Sequence, residues 1–112
     1  MSQIDLLEEF AMIAGDIQTL HFSVQDQDGF DIDLEYMTTE LKFSLCGQPQ
    51  YTVLEKTGTK YDVSKVKFTL ESQETMYMRG KYMFQLILTD SRDGSVYIPS
   101  QGIVNIFPQV GV

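Results

Sequence analysis

The residues with the clearest potential for chemistry form an acidic cluster around one glycine. In DQDGFDID, four aspartates surround Gly29, namely Asp26, Asp28, Asp31 and Asp33. Calcium prefers six to eight oxygen ligands, and alternate carboxylates beside a glycine at a sharp bend are typical of its binding loops. The EF-hand loop, however, places its glycine after three alternate ligand positions and closes with a glutamate, and this sequence does neither. The four aspartates are therefore only weak calcium candidates.

A hairpin turn explains the same cluster more completely. Asp-Gly at positions 28–29 is a strong signal for a reversal between two strands, and Asp26 is placed to cap that turn. The two aspartates after the glycine would then alternate outward from the apolar face of a following strand. That face would consist of Phe30, Ile32 and Leu34. We therefore expect a turn, with a bound cation as the alternative.

The other residues with reactive side chains stand alone. His21, the only histidine, lies between Leu20 and Phe22 and is expected to point away from the core. A catalytic histidine needs a nucleophile and an orienting acid, and no recognisable motif supplies them. Cys46, the only cysteine, begins a turn and has no partner for metal or redox chemistry. The sequence therefore predicts a protein that is not an enzyme and that uses no cofactor.

Composition narrows the classes of partner. The chain has 112 residues, of which 43% are hydrophobic, which is enough for one domain with a core. Eight basic residues are scattered among sixteen acidic ones, and the formal net charge is −8. Binding to nucleic acid or to an anionic membrane needs clustered Lys and Arg, so we expect neither partner. No apolar run approaches the roughly 20 residues that span a bilayer.

From Ile17 onward, apolar and polar residues alternate with a period of two. The clearest segments are QTLHFSV, ELKFSL, KVKFTL and KYMFQLILTD. Such alternation is typical of antiparallel strands with one buried and one solvent-exposed face. The buried positions would be Leu20, Phe22, Val24, Leu41, Phe43, Leu45, Val66, Phe68, Leu70, Tyr82, Phe84, Leu86 and Leu88.

Short segments rich in Gly, Pro or Asp separate these strands. They are DQDGF, CGQPQ, KTGTKYD, MRGKY, SRDGS and PSQG, and each is expected to reverse the chain. Strands at this spacing, with no long helix between them, indicate two sheets packed face to face. We therefore predict an all-β, antiparallel β-sandwich over residues 15–112.

Residues 1–14 have a different pattern and are predicted to form a short helix or arm. In SQIDLLEEFAMIAGD, apolar residues recur at helical spacing with acidic residues between them, and Gly15 would end the helix. The alternative is that residues 9–13 begin the first strand. Exposed apolar patches mark interaction sites, so we expect residues 3–13 to be a docking element. Its interface candidates are Ile4, Leu6, Leu7 and Phe10.

The segment ETMYMRGKYMF supplies a second group of interface candidates. Three of its residues would line the core or its rim, namely Met76, Met78 and Tyr82. The interface candidates outside the core are Tyr77, Arg79 and Met83. Tyr, Met and Arg are enriched in protein interfaces, and Tyr and Arg among their hot spots. An ordinary solvent-exposed sheet surface is the alternative.

The order of these motifs resembles one protein family. Gly15-Asp16 is followed by the strand LHFSV, a DxDG corner and the segment FDIDLEYMTTELKFSL, and later by MRGKYMFQLILTD, RDGS and SQGIVNIFP. Over residues 10–108 this order is similar to that of the N-terminal domain of the upper baseplate proteins of tailed bacteriophages with Gram-positive hosts. The resemblance implies an immunoglobulin-like β-sandwich that serves as an assembly module.

The resemblance also implies where such a protein acts and with what. It would be a structural component of a phage or prophage tail or baseplate, located in the virion and assembled in the cytoplasm of the bacterial host. Its partners would be copies of itself, giving a homo-oligomer, and other tail or baseplate proteins. The alternative function is a stand-alone sandwich that binds carbohydrate or calcium through its loops at residues 26–33 and 90–93.

Overall fold

The computed structural model describes residues 8–108 of the chain. In chain order, the elements of this part are β1 (Glu8–Ile13), β2 (Gln18–Ser23), β3 (Met37–Leu45), β4 (Gln48–Thr57), β5 (Thr59–Asp62), β6 (Lys65–Leu70), α1 (Ser72–Thr75), β7 (Gly80–Asp90) and β8 (Val96–Phe107). Over these residues no helix is long and apolar enough to cross a membrane, because α1 has only four residues.

The strands form two sheets that pack face to face. The larger sheet has the order β1-β8-β7-β3-β4, and the smaller has the order β2-β6-β5. Among the described residues β1 and β8 pair in parallel, and the other paired strands are antiparallel. This order corresponds to that of immunoglobulin-like sandwiches with an additional strand after the third: β2, β6 and β5 take the places of strands B, E and D, and β3, β7 and β8 take those of C, F and G. The predicted all-β, antiparallel Ig-like sandwich is confirmed.

The core lies between the sheets at the positions that the alternation predicted. The buried apolar side chains include Val24, Leu41, Phe43, Val66, Phe68, Leu70, Tyr82, Phe84, Leu86 and Leu88, while Leu20 and Phe22 pack against them from the rim. The prediction is wrong for Leu45, which is exposed, whereas its neighbour Ser44 is buried. The reason is a break in the register of β3 against β4 between Phe43 and Leu45, which disrupts the alternation.

The N-terminal helix prediction is wrong for residues 8–13, which form β1 instead. β1 pairs with β8 from Glu8 opposite Gly102 to Ile13 opposite Phe107. Met12 is buried in the core, and Phe10 packs against it. Pairing with a distant strand therefore outweighs the helical spacing of the apolar residues. The expected first strand over residues 9–13 describes this segment correctly, and residues 1–7 lie outside the described residues.

Two of the predicted reversals, and the strand expected directly after a third, need correction. No strand follows the acidic turn, where only an isolated bridge joins Gln25 to Asp31, and Phe30 is 71% exposed instead of packed. PSQG does not reverse the chain but lies within β8, where two residues stand opposite Ile87 as a bulge. In KTGTKYD only Gly58 separates two strands, because Thr59–Asp62 forms β5.

Candidate functional site

One end of the sandwich brings together exposed apolar side chains from four parts of the chain. Ile13 and Phe107 are neighbours on β1 and β8, and the N–H of Ala14 donates to the carbonyl of Phe107 at 2.8 Å. The following turn is joined to the last residue of α1 by a bond from the N–H of Gly15 to Thr75 Oγ1 at 3.0 Å. The exposed apolar residues at this end are 42–85% accessible and comprise Ile13, Ile17, Met76, Tyr77 and Phe107. We call these five residues the Tyr77 surface.

The loop that carries Tyr77 is anchored by buried residues on either side of it. Thr75 is fully buried, its hydroxyl oxygen accepts the Gly15 hydrogen bond, and its carbonyl accepts a bond from the N–H of Met78 at 2.9 Å. Met78 itself is buried in the core. Tyr77 thus lies between the anchored residues Thr75 and Met78, and 85% of its surface is accessible. A loop whose backbone is held in this way loses less conformational entropy on binding than a mobile loop.

A charged contact fixes α1 to the larger sheet. Lys56 Nζ on β4 donates to both carboxylate oxygens of Glu74 at 3.0 Å. Partial burial raises the pKa of Glu74, but the hydrogen bond from the Glu71 N–H and the contact with Lys56 outweigh it, so the net pKa is lowered. The carboxyl of Glu74 is therefore ionised at neutral pH and completes the capping box with Glu71 at the start of α1.

The chain leaves this end through a glycine in a left-handed backbone conformation. Gly80 has φ +89°, in the left-handed region that side chains rarely adopt. Just before it, the N–H of Arg79 donates to the hydroxyl of Tyr82 at 3.1 Å. The buried ring of Tyr82 thereby anchors the exposed Arg79 backbone, and the loop from Tyr77 to Gly80 has one defined course.

The structure places the interface candidates of the sequence in different parts of the molecule. Tyr77 and Arg79 are exposed at this end of the sandwich. Met83 is half-buried on the outer face of the larger sheet, opposite Ile103. Phe10, expected in a docking arm, instead packs on the core with its ring centroid 5.0 Å from that of Phe84. The remaining candidates, Ile4, Leu6 and Leu7, lie outside the described residues.

The acidic corner at the opposite end is built as a turn. Oδ1 of Asp26 accepts the N–H groups of Asp28 at 2.9 Å and Phe30 at 3.0 Å, and Gly29 has φ +87°. These contacts confirm the predicted cap and turn. Oδ1 of Asp33 accepts the N–H of Glu35 at 2.9 Å. Within residues 8–108, no three His, Cys, Asp or Glu side chains are grouped so that they could hold a metal ion.

The second acidic loop at that end, residues 90–93, contains an ion pair between two of its own residues. The guanidinium of Arg92 donates to both oxygens of Asp90 at 3.1 and 2.9 Å, and the Arg92 N–H donates to Oδ1 at 2.9 Å. These bonds lower the pKa of Asp90, and the same contact raises the pKa of Arg92. Arg92 also lies 4.7 Å from the centre of the Tyr36 ring, so one face of this aromatic ring is already covered.

His21 lies on the outer face of the smaller sheet, as expected from the alternation. Its Nδ1 is 3.2 Å from the hydroxyl of Tyr61, and Lys67 Nζ lies 5.9 Å from the centre of the same ring. The three side chains come from β2, β5 and β6, which are adjacent in the sheet. They form a polar surface in which the histidine is a hydrogen-bond partner of tyrosine.

Sequence reasoning missed four members of the Tyr77 surface, one of which is Met76: it was expected to line the core or its rim, but it is 42% exposed. Ile13, Ile17 and Phe107 are far from Tyr77 in the sequence, and each is an ordinary strand or turn residue by type. Ile13 and Phe107 become neighbours through the pairing of β1 with the end of β8, which no local sequence pattern predicts. Only Tyr77 and Arg79 carried a signal, because an exposed Tyr beside an Arg is typical of interfaces.

Comparisons with known proteins add no family assignment. No protein-family model matches the chain, and no curated protein matches it. The likeness to phage baseplate domains therefore rests on the order of motifs in the sequence.

Proposed function

We propose that this protein is a structural assembly module of a phage or prophage tail or baseplate, acting in the virion without chemical catalysis. It binds copies of itself and neighbouring virion proteins through the Tyr77 surface. The observation that carries this proposal is the exposure of five large apolar side chains at one end of the sandwich. The motif order of residues 10–108 supports the assignment to a phage tail.

The chemistry of the Tyr77 surface suits a protein partner. Burying apolar surface contributes about 25 cal/mol per Å², and tyrosine and arginine are the residue types that most often dominate binding energy. Tyr77 offers a large ring on an anchored loop, and Arg79 stands exposed beside it. This surface replaces the proposed docking element at residues 3–13, because residues 8–13 are already paired within the larger sheet.

The distribution of charge favours contact through this end. The four aspartates of the acidic corner lie at the opposite end, since β7 runs from Gly80 beside the Tyr77 surface to Asp90 beside that corner. Two copies that meet through their Tyr77 surfaces keep these like charges apart, which lowers the electrostatic cost of self-association for a chain of net charge −8.

Substitution of Tyr77 tests the proposal. We expect Tyr77→Ser to shift the full chain from an oligomer towards a single-chain mass in light scattering across a dilution series. Phe30→Ser is the matched control, because Phe30 is 71% exposed but lies in the acidic corner at the opposite end. A wild-type chain that has the mass of one copy at every concentration would contradict self-association. An equal effect of both substitutions would contradict the assignment to the Tyr77 surface.

A further inference from the structure

Two exposed charged residues lie next to the apolar side chains of the Tyr77 surface. Asp16 directly precedes Ile17, and Arg79 follows Tyr77 by two positions. Both charged residues are exposed. Over the part of the chain that the structure describes, neither takes part in an ion pair. The Tyr77 surface therefore presents one acid and one base that can meet charged groups of another molecule.

Thr75 holds the backbone beside both charges. The N–H of Gly15, which precedes Asp16, donates to Thr75 Oγ1 at 3.0 Å. The N–H of Met78, which precedes Arg79, donates to the carbonyl of Thr75 at 2.9 Å. Thr75 and Met78 are both buried. The two charged residues are therefore carried on backbone segments that are fixed relative to each other, so little conformational entropy of the backbone is lost when they bind.

A surface that carries one acid and one base in fixed positions is complementary to a second copy of itself. In a two-fold interface, residue i contacts residue j of the other copy, and j contacts i. A pairing of Arg79 with Asp16 therefore creates a second, identical pairing. An unrelated protein would have to supply both charges at the matching spacing, whereas a second copy has them. Because the chain carries a formal net charge of −8, self-association is favoured where acids meet bases.

We infer that two copies of the chain pair about a two-fold axis at the Tyr77 surface, with Arg79 of each copy against Asp16 of the other. The axis then passes midway between the two charged residues. Tyr77 lies in the loop between Thr75 and Arg79, which places the two tyrosine rings near the axis. Aromatic side chains at the centre and charged groups at the rim are typical of protein interfaces. The inference rests on the proposed self-association and adds its symmetry and its ion pairs.

Charge reversal tests the ion pairs by sedimentation of the full chain over a dilution series. Asp16→Arg and Arg79→Asp should each raise the dissociation constant of the two-copy species by about tenfold or more, because each sets like charges against one another twice. Asp16→Arg also changes the formal net charge from −8 to −6, which by itself favours association. Weaker association of this variant would therefore be specific to the site.

Asp28→Arg is the matched control, because it makes the same change of charge at an exposed position in the acidic corner. It should not weaken association. In dilute solution the copies are separate and both charged side chains are solvated, so every variant should melt at the temperature of the wild type. Asp16→Asn and Arg79→Gln, which remove a charge without reversing it, replace any reversed chain that does not fold and should weaken association less.

A mixture of the two reversed chains tests the symmetry. The Asp16→Arg chain has two bases at the surface and the Arg79→Asp chain has two acids, so the mixture should form a species with one copy of each at about wild-type affinity. A mixture that does not associate would overturn the inference, as would reversed chains that each associate as tightly as the wild type, or growth of the wild type beyond two copies.

Failure of this inference is distinguishable from failure of the proposed function. If Tyr77→Ser dissociates the wild type but the charge variants have no effect, the Tyr77 surface stands and the two-fold ion pairs do not. A wild-type chain with the mass of one copy at every concentration contradicts both.

Discussion

At the scale of single residues, Gly58 shows how closely the two sheets approach where the chain crosses between them. It joins β4 in the larger sheet to β5 in the smaller one, and its N–H donates to the carbonyl of Thr39 at 3.1 Å. A methyl group at this position would lie 2.5 Å from Val66 Cγ2 and 2.7 Å from Phe68 Cε2. Both neighbours are fully buried side chains in the core, where closely packed side chains leave little room for an added methyl group.

We therefore expect Gly58→Ala to destabilise the fold. Overpacking a closely packed core costs about 1–3 kcal/mol in the free energy of unfolding. Urea unfolding measures this loss, and Thr57→Ala is the control because Thr57 is the exposed preceding residue. A Gly58→Ala chain as stable as the control would show that the sheets are further apart at this point than described.

The pKa of Asp90 predicts a pH dependence of stability. Because Arg92 donates hydrogen bonds to the carboxylate, its pKa in the folded chain lies below the ordinary value of 3.8. The unfolded chain therefore takes up this proton first as the pH falls. The contribution of the ion pair is present above the unfolded-state pKa and is lost as the pH falls through the folded-state pKa.

Asp90→Asn tests this pH dependence. The variant should lose stability near neutral pH, and its stability should fall less steeply than that of the wild type as the pH decreases below about 4. Chemical unfolding at a series of pH values measures both slopes. Asp16→Asn, at an exposed turn residue, is the control. Parallel curves for wild type and Asp90→Asn would contradict the role of the ion pair.

At the scale of elements, the sequence predicts most readily those strands that have one face against the core and the other towards solvent. β6 and β7 follow strict alternation because one face meets the core and the other meets solvent throughout. β1 could not be predicted with the same certainty, because its apolar residues fit a helix as well as a strand until β8 offers an edge. Likewise, the local pattern around Tyr77 predicted an interface candidate. The exposure of Ile17, in contrast, depends on how the turn after β1 packs against α1, which is distant in the sequence.

The docking of that turn gives a prediction at the element scale. Thr75 is fully buried, and its Oγ1 accepts the N–H of Gly15 and so joins the end of α1 to the turn that follows β1. Thr75→Val keeps the shape but removes the acceptor, and an unsatisfied buried donor costs about 1–3 kcal/mol. We expect a loss of this size in urea unfolding. Thr52→Val, on the exposed strand β4, should be nearly neutral. A neutral Thr75→Val would contradict this anchoring.

At the scale of the whole molecule, the two ends of the sandwich differ in chemistry. One end carries the acidic corner and the Asp90–Arg92 pair, and the other carries the Tyr77 surface. The fold class could be predicted from the sequence because alternation and turn residues repeat along the chain. The apolar end could not, because it is assembled from residues that are up to about 90 positions apart and that share no motif.

The most direct test of the proposed assembly role is a map of the amide signals that respond to self-association. Amide chemical shifts of the ¹⁵N-labelled full chain can be compared between dilute and concentrated samples. Association through the Tyr77 surface predicts concentration-dependent shifts at residues 13–17, 75–80 and 106–107, with the acidic corner at residues 25–33 unchanged. Shifts concentrated at the acidic corner, or no shifts at any concentration, would contradict it.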